Sequence, residues 1–267
     1  MTTATARFDA AQWAVLANDL KLADARTASA DQCIDTRALL DVDQCRRVLD
    51  ELGPRIGSDS RAITASLLAK RIAFLVTGPG LYALSAFDLG LNLALDNCVT
   101  DYRHDGAAWR SRMLLKDVVP TPPATPTLRL SADDREHLRE GVVRRVFAGH
   151  LTPLWQIFQK ASGIAPRILW ENTAVRVYSL YERRLAAIDE PSRQRQIRDD
   201  FDYLLHRAPV DAFGLPDNPL ARYYFDVETI AASDTAPTRQ VRFRKTCCLY
   251  FKATCPAEYC STCPLLR

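Results

Sequence analysis

The densest chemistry in the chain lies at its end. Five of the 8 cysteines, Cys247, Cys248, Cys255, Cys260 and Cys263, fall within the 21 residues from Cys247 to Arg267. Cys260-Ser261-Thr262-Cys263 is a C-x-x-C, a spacing whose tight turn aims two sulfurs at one metal. Cys247-Cys248 is a different device. Zinc modules space both of their pairs by two to four residues. Adjacent residues on a strand point to opposite faces, so one tetrahedral zinc is awkward to serve from both. Either the chain bends there, or the two sulfurs serve different metal atoms, as a two-iron cluster allows. Met1 to Ala11 carries Arg7 and Asp9 and no continuous apolar stretch, which is not a signal peptide. The expectation is a cytoplasmic protein, where clustered cysteines are metal ligands or redox groups rather than disulfides.

These residues carry a resemblance. Arg244-Lys245-Thr246-Cys247-Cys248-Leu249, followed by Cys260-x-x-Cys263-Pro264-Leu265-Leu266, resembles the C-terminal signature of the FhuF-type siderophore-iron reductases. Leu169-Trp170-Glu171-Asn172 with Ala174 is similar to a W-x-N-x-A helix start of that family, and Asn218-Pro219-Leu220 to its N-P-L loop. The resemblance implies a 2Fe–2S cluster held by Cys247, Cys248, Cys260 and Cys263, the cysteines that match the family pattern position by position. It departs from that pattern in one respect. The family gap between the pairs is ten residues, whereas here it is the eleven from Leu249 to Tyr259, with Cys255 inside as an alternative ligand.

The implied activity is one-electron reduction of a ferric siderophore, which releases iron as Fe(II). Arg242, Arg244 and Lys245 precede the first pair and would offset cluster charge. With Trp170 and Asn172 they are the candidate substrate-binding residues. The plainer readings are a solvated strand face for the cations, and helix packing and capping for Trp170 and Asn172. No G-x-G-x-x-G and no P-loop is present, so electrons are expected from an external donor, a ferredoxin or a flavin/NAD(P)H reductase. Two rival readings are a zinc-stabilised binding module and a siderophore-binding or synthesis-related protein without redox turnover.

The rest of the chain must position the tail. Its net charge of +3, with the basic residues scattered, gives no argument for nucleic acid. No run approaches the roughly 20 apolar residues of a membrane span, and peripheral membrane association is left open. The fold expected is α+β and mostly helical: N-terminal helices plus a β-hairpin, then a helical region ending in the cysteine-rich tail. Apolar spacing predicts helices over 8–27, around Leu39–Leu52 with a stop at Gly53-Pro54, and over 61–77 with a stop at Gly78-Pro79-Gly80. Alternation from Leu91 to Val99, the Asp105-Gly106 turn and Ala108–Lys116 predict a hairpin. Four prolines in Val118–Thr127 mark a linker over 118–130, dividing a 1–117 region from a helical 131–238 region and a 239–267 tail. Ser131 opens a helix that Gly149 ends, Pro153 opens a helix to Gly163, and further helices start at Pro166 and Pro191. Val241–Phe251, rich in β-branched and aromatic residues, reads as a strand.

Overall fold

The computed structural model describes residues 8–27, 32–120, 131–230 and 238–267. The linker expected over 118–130 falls mostly outside these residues. The architecture is α+β and mostly helical: seven α-helices, a small mixed sheet and a two-stranded ribbon among the described residues.

Helix α1 (Ala10–Ala14) starts on a capping box between Asp9 and Gln12 and passes into a π-helical turn. The helix expected over 8–27 stops early. Lys21 takes a left-handed backbone, and β1 (Leu22–Asp24) follows because its leucine and alanine are buried in a sheet. That sheet has the order β1-β4-β3-β2, with β2 (Cys33–Asp35), β3 (Cys98–Asp101) and β4 (Met113–Leu115). β1 runs parallel to β4, and the other pairs are antiparallel. The β3–β4 hairpin closes through a bridge between His104 and Trp109, with Gly106 at φ +93°. The strand alternation expected from Leu91 is realised only from Cys98. Leu91 and Leu93 are buried, but in irregular chain.

Two predicted stops are overridden. α2 (Val42–Arg55) runs through Gly53-Pro54, because a proline in the last turn costs little where the helix is ending anyway. α3 (Arg61–Phe87) runs through Gly78-Pro79-Gly80. An interior proline costs about 3 kcal/mol, but α3 is apolar nearly all round and its burial outweighs that loss. A Cβ on Gly80 would lie 2.7 Å from Leu93 Cδ1, so the glycine there serves close packing rather than helix breaking. Among the described residues α3 is the one helix long and apolar enough to cross a membrane, and it lies mostly inside the protein.

Helical structure likewise continues through Gly149. A π-helical turn (Phe147–Leu151) joins α4 (Ala132–Val146) to α5 (Thr152–Ser162). α6 (Pro166–Ser179) extends through a π-helical turn, Leu180–Arg184, and a short 3-10 turn to Ala187, and α7 (Pro191–Asp202) follows. α3 packs against α6, α4, α5, α7 and α2, and one buried cluster extends from Leu16 to Tyr223. The regions on either side of the proline-rich segment therefore share a core. A buried carboxylate, Asp200 of α7, joins three helices. It accepts from Arg135 Nη2 of α4 at 2.6 Å and from Ser85 Oγ of α3 at 2.7 Å.

The tail departs from its expected strand. β6 (Arg239–Val241) pairs with β5 (Glu228–Ile230), and the chain then leaves the ribbon as a loop. Cys247 and Cys248 stand on that loop, and Leu249 turns left-handed at φ +64° immediately after them. β propensity loses here because the backbone N–H groups of Lys245 and Thr246 bond to a helix side chain instead of a neighbouring strand.

Candidate metal centre

The loop carrying Cys247-Cys248 is held by α6. Glu171, side chain 3% exposed, accepts the backbone N–H of Lys245 and of Thr246, each at 2.7 Å, and the Thr246 hydroxyl. Asn172 Oδ1 accepts from Arg244 Nη2 at 2.7 Å, while Asn172 Nδ2 donates to the Ser66 carbonyl on α3 at 3.0 Å. Ser66 Oγ in turn donates to the Cys248 carbonyl at 2.8 Å. One polar chain thus runs from α3 through α6 to the first cysteine pair. The second pair is brought alongside by the tail itself. Arg244 N donates to the Thr262 carbonyl at 3.0 Å, and Cys263 N donates to the Cys260 carbonyl at 3.0 Å, closing the C-x-x-C turn.

The sulfurs are gathered by this framework. Cys248 Sγ and Cys260 Sγ lie 3.6 Å apart. Cys247 is close enough to Cys248 and Cys263 for both to raise its thiol, after burial, the main cause. Leu249 N donates to Cys247 Sγ at 3.3 Å. Cys255 is exposed, whereas Cys248 and Cys263 are buried. The Cys260 thiol and the Lys70 ammonium pull Cys248 down to about 5, against the opposing effect of burial. Its partnership with Cys248, and then burial, push Cys260 up.

Cations surround the thiols. Lys70 Nζ of α3 lies 3.9 Å from Cys248 Sγ. Arg176 of α6 belongs to the same charge cluster; burial and Arg244 lower its affinity for the proton, and the sulfurs of Cys248 and Cys260 raise it. Arg244 has a side chain 1% exposed, with Nε and Nη1 buried and unpaired and its nearest carboxylate, Glu171, at 3.9 Å. So much uncompensated positive charge in a buried site asks for an anion. An iron–sulfur cluster with four thiolates is anionic and fits.

The donor geometry fits as well. A tetrahedral metal with bonds of about 2.3 Å to sulfur sets neighbouring thiolates roughly 3.8 Å apart. Cys248 and Cys260, 3.6 Å apart, have the spacing that two thiolates of one iron would take, which would leave Cys247 and Cys263 to hold the other. No group of three or more His, Cys, Asp or Glu side chains among the described residues converges as on a single ion. Two ligands on each of two irons need no such group.

Comparison with known families agrees. A model described as "Ferric iron reductase FhuF-like transporter" matches residues 66–229, well over half of the chain. The chain belongs to the FhuF-like family. A second model, the FhuF 2Fe-2S C-terminal domain, matches residues 244–265 and spans all four cysteines. The cofactor of this FhuF-like protein is a 2Fe–2S cluster. No curated protein matches the chain. Among solved structures, aerobactin synthetase IucC from a hypervirulent pathotype of Klebsiella pneumoniae aligns with a TM-score of 0.47 at 14% identity. The alignment covers 73% of this chain and 37% of that one.

A groove of about 560 Å³ opens beside the C-x-x-C turn of this FhuF-like chain, lined by Cys260, Thr262, Lys70, Arg176, Arg242 and Arg244 among others. The candidate substrate residues divide around it. Arg242 and Arg244 line the groove; Arg242 pairs with Glu182 at 2.6 Å and stacks on Tyr224. Lys245 sits 3.9 Å from the Phe225 ring centroid, away from the groove lining. Trp170 and Asn172 are buried in the helix packing, and Asn172 acts by orienting Arg244. Sequence reading missed Lys70, Glu171 and Arg176. A signal existed for two of them: Lys70 interrupts the apolar run of α3, and Glu171 lies within the quoted Leu-Trp-Glu-Asn motif.

Proposed function

We propose that this chain is a cytoplasmic siderophore-iron reductase that binds the ferric chelate in the groove beside Cys260. The observation that carries the reading is the juxtaposition of a cysteine sulfur pair with a groove bearing five cations, Lys70, Arg176, Arg183, Arg242 and Arg244. When bound, the 2Fe–2S cluster supplies one electron at a time. One electron converts chelated Fe(III) to Fe(II), which the hard anionic oxygens of a siderophore hold far less tightly, so the metal leaves and the ligand remains.

The residues contribute binding, charge and exclusion of water. Lys70 and Arg244 sit where extra negative charge would gather on reduction and lower its cost. Burial of Cys248 and Cys263 keeps water from the thiolates, while Cys260 borders the groove and shortens the path to a bound chelate. The donor is a separate protein, a ferredoxin or a flavin/NAD(P)H reductase. The test is turnover by the purified holoprotein, reduced with dithionite, freed of excess reductant and mixed anaerobically with ferric siderophores in the presence of an Fe(II) chelator. Stoichiometric Fe(II) with re-oxidation of the cluster's visible spectrum is expected. Reduced protein that releases no Fe(II) from a hydroxamate, a catecholate or a citrate-type siderophore sinks the reading and leaves a binding or synthesis-related role.

A further inference from the structure

The groove reaches one side of the four cysteines. Cys260 borders it, whereas Cys247 and Cys263 do not. A chelate bound in the groove leaves the outer surface of the tail as the way in for an electron. Apolar side chains are concentrated on that surface. Six large hydrophobic side chains are exposed among the described residues, and three of them, Tyr259, Leu265 and Leu266, flank the C-x-x-C in the chain. Leu265 and Leu266 follow Cys263 on a short 3-10 turn. Tyr259 precedes Cys260 and stacks on Phe251, with 5.4 Å between the ring centroids. Positive charge is concentrated there as well. Residues 240–267 hold five basic residues and one acidic residue, although the whole chain has a net charge of only +3. Arg242 and Arg244 line the groove. The other three, Lys245, Lys252 and Arg267, are exposed. Arg267 pairs with Glu228 of β5, Lys245 lies over the Phe225 ring, and the one acid, Glu258, accepts from the Tyr250 hydroxyl.

We infer that the outer face of the tail, apolar at Tyr259, Leu265 and Leu266 and basic at Lys245 and Lys252, is the docking surface of a small acidic electron-carrier protein. This rests on the proposed function and narrows its electron donor to a protein whose redox centre is ringed by carboxylates. Contacts between electron carriers are small and short-lived. An apolar patch with a charged rim suits such a contact. The leucines exclude water between the two redox centres, and opposite charge speeds the encounter without holding a spent carrier in place. Only Pro264 separates Leu265 from Cys263, so a carrier seated on the leucines lies close to the cysteines. A second copy of this chain would bring the same positive charge against the face and is disfavoured there. The step is a one-electron transfer. The carrier is oxidised by one electron, the tail's redox centre is reduced by one, and no bond forms or breaks. The groove stays open, so chelate and carrier bind at the same time.

The test uses an acidic plant-type 2Fe–2S ferredoxin as the carrier. Binding is read by calorimetry with the ferredoxin's iron replaced by gallium, so that no electron moves. The oxidised holoprotein is expected to bind it at low salt and to lose at least about tenfold in affinity at high salt. Lys252→Glu, and separately Leu265→Ser with Leu266→Ser, should each weaken binding by at least about fivefold. Stopped-flow reduction by native ferredoxin below saturation should slow by the same factor. Reduction by dithionite, and Fe(II) release from the dithionite-reduced variants, should keep the values of the natural chain, which shows that the variants are folded and loaded. Variants that bind the ferredoxin and are reduced by it as the natural chain is overturn the inference, as does a natural holoprotein that does not bind it. A dimer in solution that the leucine variant dissociates assigns the face to a second copy and overturns it too. None of these outcomes touches the reductase reading, since dithionite still supplies the electron. A protein that accepts electrons from ferredoxin and releases no Fe(II) overturns the reductase alone.

Discussion

At the scale of single residues, the site divides into ligands and the charges that hold them. Cys247, Cys248, Cys260 and Cys263 are drawn together by the loop and the C-x-x-C turn, and Cys255 stands exposed outside them. Serine at any of the four is expected to lower bound iron and acid-labile sulfide by more than half, whereas Cys255→Ser keeps both. Loss of the cluster in Cys255→Ser would show that the eleven-residue gap changes the ligand set. Lys70 is a second kind of residue. Its ammonium lies 3.9 Å from Cys248 Sγ and favours the more negative, reduced state. Lys70→Met keeps an unbranched side chain, one atom shorter, and removes the charge, so protein-film voltammetry should find the midpoint potential more negative by roughly tens of millivolts. A potential that stays put or rises would mean that Lys70 is screened from the cluster. The cysteines were legible in the sequence because their spacing is local. Lys70 was not, because 178 residues separate it from Cys248 and only packing brings them together.

At the scale of elements, α6 is the helix that matters most. One turn of it supplies Glu171 and Asn172 to the tail, a later turn supplies Arg176 to the groove, and the helix packs against α3, to which Asn172 also bonds. Glu171 does for the loop what a neighbouring strand would have done, accepting two consecutive backbone N–H groups and facing the buried Arg244. Glu171→Gln removes the carboxylate charge and one acceptor. The expected result is a loss of about 2 kcal/mol in unfolding free energy, because two loop N–H groups lose their charged acceptor. Cluster occupancy should fall with it, read as iron per chain and as a lower thermal midpoint. An unchanged midpoint together with full iron would show that the loop is held by the cluster alone. The α2–α3 turn touches the tail as well. Gly57 takes φ +70°, and a Cβ there would stand 2.7 Å from the Ala253 carbonyl oxygen, so the tail backbone passes too close for a side chain. The strand expected over Val241–Phe251 was a fair reading of propensity, but propensity measures a residue's fit to a pleated surface, and among the described residues no strand pairs with residues 242–249.

At the scale of the whole molecule, one core joins the residues on both sides of the proline-rich segment, and buried polar groups set its response to pH. His150, in the π-helical turn between α4 and α5, is fully buried, with Nδ1 at 2.7 Å from the Leu93 carbonyl and Nε2 unpartnered. Burial lowers its proton affinity to about 4, while the hydrogen bond to Leu93 opposes the shift. The unfolded chain protonates this imidazole near pH 6.5 and the folded chain does not. Stability from this group is therefore complete above about pH 6.5, declines as pH falls, and levels off near 4. The total loss is on the order of 3 kcal/mol. His150→Asn keeps a donor for Leu93 and removes the titration. The difference in thermal midpoint between pH 7.5 and pH 5 should be smaller in the variant than in the natural chain, and equal pH dependence would place the sensitivity elsewhere. The sequence by itself determined what is local: the identity and spacing of the thiols, the mostly helical content, the Asp105-Gly106 turn and the helix starts at Ser131, Pro166 and Pro191. Those signals depend on a few neighbouring residues and survive folding unchanged. The tertiary structure alone decided that α3 continues through Gly78-Pro79-Gly80, that Cys247-Cys248 lies on a loop clamped by Glu171, and that Lys70 and Arg176 face the thiolates. Each of these is a balance between a local preference and the burial of surface or charge supplied by distant residues, and that balance does not exist until the core has formed.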